Sequence, residues 1–201
     1  MGAGILPTTI HNNKIHFLFG KENKFEDSAA GFSDFGGGTD NSESFFETAI
    51  REGGEELTGF LGTNNDLKKM LKKYGTYNID YKDKNSKFST YRMHIFPMKY
   101  DELLPLYYNN NQRFLQKRLD PKVIKKSKIF EKEEIRWVCI DDIKKMHPKF
   151  RSYFQNIIDI IISEKNEIQQ FIFKNLKKNL KKSTKKTFKK HLKKNNKTFK
   201  N

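Results

Sequence analysis

Twelve lysines and no acidic residue occupy positions 175–201, so the last 27 residues carry +12 of a formal net charge of +16. Like charges at that density repel, and so few apolar side chains cannot offset the entropy of ordering the segment. A packed core is therefore confined to the first 174 residues, whose net charge is only +4 and which hold most of the 18 Phe and all 8 Tyr. The chain divides into a nearly balanced domain over 1–173 and a Lys-rich tail over 174–201, expected to be disordered or to become helical on a partner.

Several classes of protein are excluded. A single cysteine, Cys139, rules out a disulfide scaffold and a cysteine-based zinc site, and it suits a reducing compartment such as the cytoplasm. No apolar run approaches the ~20 residues that cross a bilayer; the best, Ile157–Ile162, is broken by Asp159. The first residues lack the basic and apolar regions of a secretory signal. Met1-Gly2 opens like a myristoylation site, but Leu6 stands where Ser or Thr is wanted.

Gly2–Thr8 and Ile15–Gly20 read as two strands flanking His11-Asn12-Asn13-Lys14, a polar turn, and so predict a hairpin. An irregular stretch over Phe25–Phe35 leads to Gly36-Gly37-Gly38. Asp40-Asn41-Ser42 then offers N-caps for a helix carrying Phe45, Phe46, Ala49 and Ile50 and stopping near Gly59. A short helix over Asp66–Lys73 follows. Strands are expected over Tyr77–Lys82 and Ser89–Met98, with Asp83-Lys84-Asn85-Ser86 as their turn. Leu103–Lys128 reads as a helical basic insertion, Glu134–Ile140 as a strand, and Lys149 to Phe173 as a long helix. Strand-rich halves around helices predict a layered α/β domain.

The chemistry concentrates between Gly37 and Phe60. Gly37 is followed by Glu43, then Arg51-Glu52, Glu55-Glu56 and Leu57-Thr58-Gly59-Phe60. On a helix, Glu52, Glu55 and Glu56 are three and four positions apart and share a face. An exposed Glu-rich face can be simply solvated, yet three carboxylates together repel unless a cation lies among them. Hard divalent ions such as Mg²⁺ or Mn²⁺ take such oxygen ligands, completed by water and substrate phosphate. Glu47 and Arg51 can pair, Arg51 can reach back to Glu43, and the glycines allow a backbone carbonyl to approach.

This spacing resembles the Nudix hydrolase signature. Gly53 stands where that signature has an apolar residue, and one extra residue separates Glu56 from Gly59. Gly2-Ala3-Gly4-Ile5-Leu6 resembles the family's opening strand, and Glu134–Val138 with Asp141-Asp142-Ile143 its closing strand and turn. The resemblance implies an α/β/α sandwich with a mixed sheet and hydrolysis of a phosphoric anhydride. It implies that Glu52, Glu55, Glu56 and the Gly37 carbonyl hold Mg²⁺ or Mn²⁺, and that Glu43 and Arg51 brace the loop. The general base is implied to be Glu52 or a glutamate in the loop before the last strand, Glu131 or Glu133, with Glu131 favoured.

Phe32–Gly37 and Phe96–Pro105 resemble the Nudix proteins of large nucleocytoplasmic DNA viruses, which implies removal of mRNA caps. Diphosphoinositol polyphosphates or nucleoside diphosphates are the alternative substrates. A polyanion-binding module with an inactive hydrolase domain is the alternative of another class. Lys177, Lys178, Lys181, Lys182, Lys185, Lys186, Lys189 and Lys190 recur in pairs every four residues and are expected to contact a polyanion, with RNA foremost and nuclear targeting or an anionic membrane as alternatives. Arg113, Lys117, Arg118, Lys122, Lys125, Lys126 and Lys128 form a second basic segment, either a solvated face or a surface flanking the cleft. Tyr100 and Trp137 are candidates to stack on a base, although a strand tryptophan is expected in the core.

Overall fold

Asn12 and Asn13 both adopt left-handed backbone (φ 49° and 61°) and turn β1 (Gly2–His11) tightly into β2 (Lys14–Glu22). Two consecutive left-handed residues match the twist of the flanking strands, and asparagine tolerates them. The computed structural model describes residues 1–23, 30–40, 42–82, 90–127 and 131–178. Asn41, the 83–86 turn, Lys128 and the tail from 179 onward lie outside the described residues.

The remaining elements are β3 (Phe32–Ser33), β4 (Phe35–Gly38), α1 (Phe45–Glu56), α2 (Asn64–Tyr74), β5 (Tyr77–Lys82), β6 (Thr90–Pro97), α3 (Leu103–Arg118), α4 (Pro121–Lys126), β7 (Lys132–Cys139), α5 (Ile143–Met146) and α6 (Ser152–Ser163). Helix resumes over residues 165–178. Among the described residues the seven strands form one mixed sheet, ordered β3-β2-β1-β6-β5, with β4 pairing β1 and β7 pairing β2. β1 is central: it runs parallel to β6 and antiparallel to both β2 and β4.

Alternation along the strands sends side chains to two cores. Ile5 and Leu18 pack against Ala49, Ile50, Leu67, Leu71, Leu104 and Tyr108, so α1, α2 and α3 cover one face. Leu6, Phe17 and Phe19 pack against Phe154, Ile157, Ile158 and Ile161 of α6 and against Ile168 and Ile172 beyond it. Each fully buried side chain of this size contributes about 1.5–3 kcal/mol. The fold is thus a mixed sheet between helices, as the sequence predicts.

Several boundaries differ from expectation. Within 25–35, Phe32 and Ser33 form a strand, and the three glycines form another, antiparallel to the start of β1. The N-cap of α1 is Ser44 rather than Asp40, Asn41 or Ser42, because Ser44 and Glu47 form a reciprocal capping box. The basic insertion is two helices, broken at Leu119–Asp120, where Asp120 caps α4 and Pro121 occupies its first turn. β7 starts two residues earlier than predicted. The last long helix is interrupted at Glu164 and continues past Phe173 to 178, carrying Lys177 and Lys178.

Candidate active site

The glycine strand β4 and the helix α1 build the site. A Cβ at Gly36 would lie 2.2 Å from the Tyr91 hydroxyl and 2.5 Å from Gly4 Cα, and one at Gly37 would lie 2.7 Å from the Glu52 carboxylate. Only glycine lets the strand approach β1 and lets Glu52 rest against Gly37. The departure at Gly53 has a packing reason: a Cβ there would meet Ile5 at 2.3 Å, so the bare backbone seats α1 directly on the sheet. α1 ends at Glu56, before Gly59. The extra residue is absorbed in a turn where Thr58 and Gly59 are both left-handed (φ 48° and 79°).

Arg51 organises the loop. Its Nε and Nη2 each donate to Glu43 at 3.0 Å, Nη1 donates to Glu52 at 2.7 Å, and Nη2 also donates to the Gly38 carbonyl at 2.9 Å. Glu55 lies 3.7 Å from the same guanidinium. The Arg51 hydrogen bond holds the Glu43 carboxyl down at about 2. Glu47 does not pair with Arg51 as expected; its carboxylate accepts from the Ser44 backbone and hydroxyl at 3.0 and 2.7 Å.

The three carboxylates are not an exposed, mutually repelling face. Glu52 and Glu56 are buried, 9% and 4% exposed. Glu56 Oε2 accepts from the Gly36 N–H at 2.9 Å, and its Oε1 lies 3.1 Å from Lys132 Nζ. Lys132 is fully buried. It also donates to Glu22 and, at 3.0 Å, to Ser33 Oγ, while Arg151 Nη1 donates to Glu22 at 2.7 Å. Burial pushes the Glu56 carboxyl up against the opposing pull of Lys132. Burial alone would lower the Lys132 ammonium, but Glu56 and Glu22 outweigh it and hold it charged. Burial likewise raises Asp34 from 3.8 to about 7, although the Tyr91 hydroxyl donates to it at 2.8 Å.

These contacts bear on a metal. Among the described residues no three acidic, histidine or cysteine side chains already converge as a cation cluster. Glu52 is turned onto Arg51 and Glu56 onto Lys132 and Gly36. The donor set nevertheless suits a hard divalent ion: three carboxylates on one helix, beside a glycine strand whose missing side chain leaves room for Glu52.

The two remote glutamates part company. Glu22 opposes Lys132 and Lys21 opposes Glu134, so Glu133 is the extra residue of a β-bulge within β7, not a loop residue as expected. Its carboxylate takes Lys21 Nζ at 2.5 Å and lines a small cavity with Asn109 and Arg113. Glu131 precedes β7, and its carbonyl accepts from the Asn23 N–H at 2.9 Å.

Sequence reasoning missed Glu22, Lys132, Arg151, Asp34 and Tyr108. Tyr108, in the basic insertion, is fully buried and donates to the Glu56 carbonyl at 2.7 Å, while Phe60 packs edge-on against its ring. A charged residue ending an apolar strand, as Glu22 does, was the one available signal. Trp137, expected in the core, is half-buried and donates from Nε1 to the Asp101 carbonyl at 2.9 Å. Of the tail lysines, Lys177 and Lys178 are helical, and Lys177 lies over the Phe173 ring. Lys181, Lys182, Lys185, Lys186, Lys189 and Lys190 lie outside the described residues.

No protein-family model matches the chain, and no curated protein sequence is significantly similar to it. Among solved structures it is similar to RenU, a Nudix hydrolase from M. smegmatis, at 15% identity over 81% of this chain and 86% of that one, TM-score 0.44. It is similar to a C. elegans Ap4A hydrolase at 17% identity over 87% and 96%, TM-score 0.41. A bifunctional NMN adenylyltransferase/ADP-ribose pyrophosphatase from Francisella tularensis, complexed with AMP and a manganese ion, is similar at 17% identity over 81% of this chain and 41% of that one, TM-score 0.48. All are likenesses of backbone arrangement at low sequence identity. Among the described residues no helix is long and apolar enough to cross a membrane.

Proposed function

We propose that this chain is a metal-dependent Nudix hydrolase of phosphoric anhydrides and that it cleaves the pyrophosphate bridge of the mRNA 5′ cap. The observation that supports the hydrolase reading is the docking of one helix face on the glycine strand, with Glu52 against Gly37 and Glu56 bonded to the Gly36 N–H. Glu52, Glu55, Glu56 and the Gly37 carbonyl would hold Mg²⁺ or Mn²⁺, which neutralises phosphate charge and acidifies a bound water. Arg51 fixes the strand–helix junction through Glu43 and Gly38. Lys132 and Tyr108 hold the far end of α1 through the Glu56 side chain and carbonyl. Glu52 or Glu131 takes the proton of the attacking water, and the bulged Glu133, tied to Lys21, is the weaker candidate.

The cap reading draws on the viral resemblance and on the tail, whose lysines from Lys177 onward suit a phosphate backbone. The deciding experiment incubates the protein with Mg²⁺ or Mn²⁺ and cap-labelled RNA, free cap analogue, nucleotides or an inositol pyrophosphate. Release of the labelled cap as a nucleotide product is expected, with loss of turnover in folded Glu56→Gln. Cleavage of the inositol pyrophosphate alone would transfer the same chemistry to that substrate. No cleavage of any would leave a polyanion-binding module.

A further inference from the structure

A cavity of about 820 Å³ opens between the end of α2, the hairpin turn and the segment after β6. It is not part of the site above. Ala3 pairs with Gly37 beside Glu52, whereas His11 of the cavity is eight residues further along β1. At ~3.3 Å per strand residue the two ends lie about 26 Å apart.

The walls combine flat aromatic surface with positive charge. His11 stacks on Tyr100 with ring centres 3.9 Å apart and planes at 19°, and Trp137 abuts Tyr100 at 5.6 Å. Lys69 and Lys73 are four apart on α2, and Lys99 joins them from beyond β6. Lys73 lies over the Tyr74 ring at 4.7 Å. Met70 and Met98 supply apolar surface. Acids share this rim: Asp66 lies 3.6 Å from Lys69, and Asp101 is drawn to the start of α3, accepting from the Leu103 and Leu104 N–H groups at 2.9 and 3.2 Å, so Lys73 and Lys99, with Glu102 beside them, are the ammonium groups left to meet a phosphate.

We propose that this cavity is a second, non-catalytic binding site for a nucleotide, with the base against the aromatic wall and the phosphate at Lys73 and Lys99. Rings provide a face for any base, and lysines on one rim provide the charge for its phosphate. A simple anion site would not need the aromatic wall, and a purely apolar ligand would not need the lysines. A concave wall of this size also suits a single nucleotide better than a flat membrane surface. The ligand is either a free mononucleotide or one nucleotide of an RNA strand. A ligand at the His11 end of β1 sits away from the Gly37 end, where Glu52 rests. The site therefore holds either an effector or the body of an RNA whose end is cleaved elsewhere.

The protein carries its own reporter, since Trp137 is the one tryptophan and touches both Tyr100 and Asp101. Tryptophan emission of the full chain, without added metal, is titrated with AMP, with inorganic phosphate and with a short oligoadenylate. AMP or the oligoadenylate is expected to produce a saturable change at or below millimolar concentration. The exposed triple variant Lys69→Ala/Lys73→Ala/Lys99→Ala is expected to weaken binding about tenfold or more, while hydrolysis of small substrates stays unchanged. Tyr100→Leu is expected to weaken it by a similar factor, about the worth of one stacked base. Saturation by AMP identifies a mononucleotide site, and saturation by the oligoadenylate alone identifies an RNA contact. No emission change with either overturns the proposal. So does an equal response to inorganic phosphate, or a nucleotide response that survives the triple lysine variant.

Discussion

The ammonium of Lys132 lies 3.1 Å from Glu56 Oε1, and both side chains are shut away from solvent. Glu22 shares the same ammonium, and Arg151 shares Glu22, so two carboxylates and two cations balance inside the protein beneath the glycine strand. Removing one member of a buried pair leaves a charge with no compensation. Lys132→Met is therefore expected to reduce folding stability by about 3–5 kcal/mol, read from urea unfolding. Adding Glu56→Gln should recover part of that loss, because the orphaned charge is gone. A loss below about 1 kcal/mol would show that the pair is not a folding determinant.

The general base can be assigned by kinetics. Glu131→Gln is expected to lower turnover by about 10²–10⁴-fold with little change in substrate affinity. If that pattern belongs to Glu52→Gln instead, the base lies on α1. If Glu133→Gln shows it, the Lys21 pair must open during turnover. Full activity in all three variants would remove this constellation from catalysis.

Asp34 gives a pH signature. Its carboxyl titrates near 7 in the folded protein against an ordinary value of 3.8, with burial as the main cause. Between those values the unfolded chain releases its proton before the folded one does. Stability from this group therefore falls as pH rises across that window and is flat above it, the reverse of a salt-bridged acid. Asp34→Asn keeps the acceptor for the Tyr91 hydroxyl without the titrating proton. Its stability relative to wild type is expected to rise steadily across the same pH window. A constant difference between the two proteins would show that Asp34 titrates normally.

Deleting residues 179–201 removes ten of the twelve tail lysines and leaves the helix through 178 in place. Hydrolysis of small nucleotides is expected to be unchanged, while long RNA is bound more weakly. The salt dependence of RNA affinity should flatten by about 0.7 log units per neutralised phosphate lost. An identical salt slope before and after truncation would reject an RNA role for the tail and favour targeting or membrane contact.

The half of the site carried by one element was legible in the residues alone. Gly37, Glu43, Arg51, Glu52, Glu55 and Glu56 lie within one strand–helix unit, where helical periodicity converts spacing into a shared face. The layered α/β class was legible for the same reason, since alternation and helical periodicity are local signals. Tertiary structure alone decided the rest. Lys132 and Glu22 are 110 positions apart, and nothing in either neighbourhood marks them as partners. They meet because β2 and β7 pair with a bulge at Lys21/Glu22, which also takes Glu133 out of the alternation. The burial of Glu52 and Glu56, the seat of Tyr108 beneath α1, and the cavity beside His11 and Tyr100 likewise depend on which faces the folded layers bring together. Side-chain spacing determines which groups one helix presents; desolvation and long-range pairing determine which charges those groups must share.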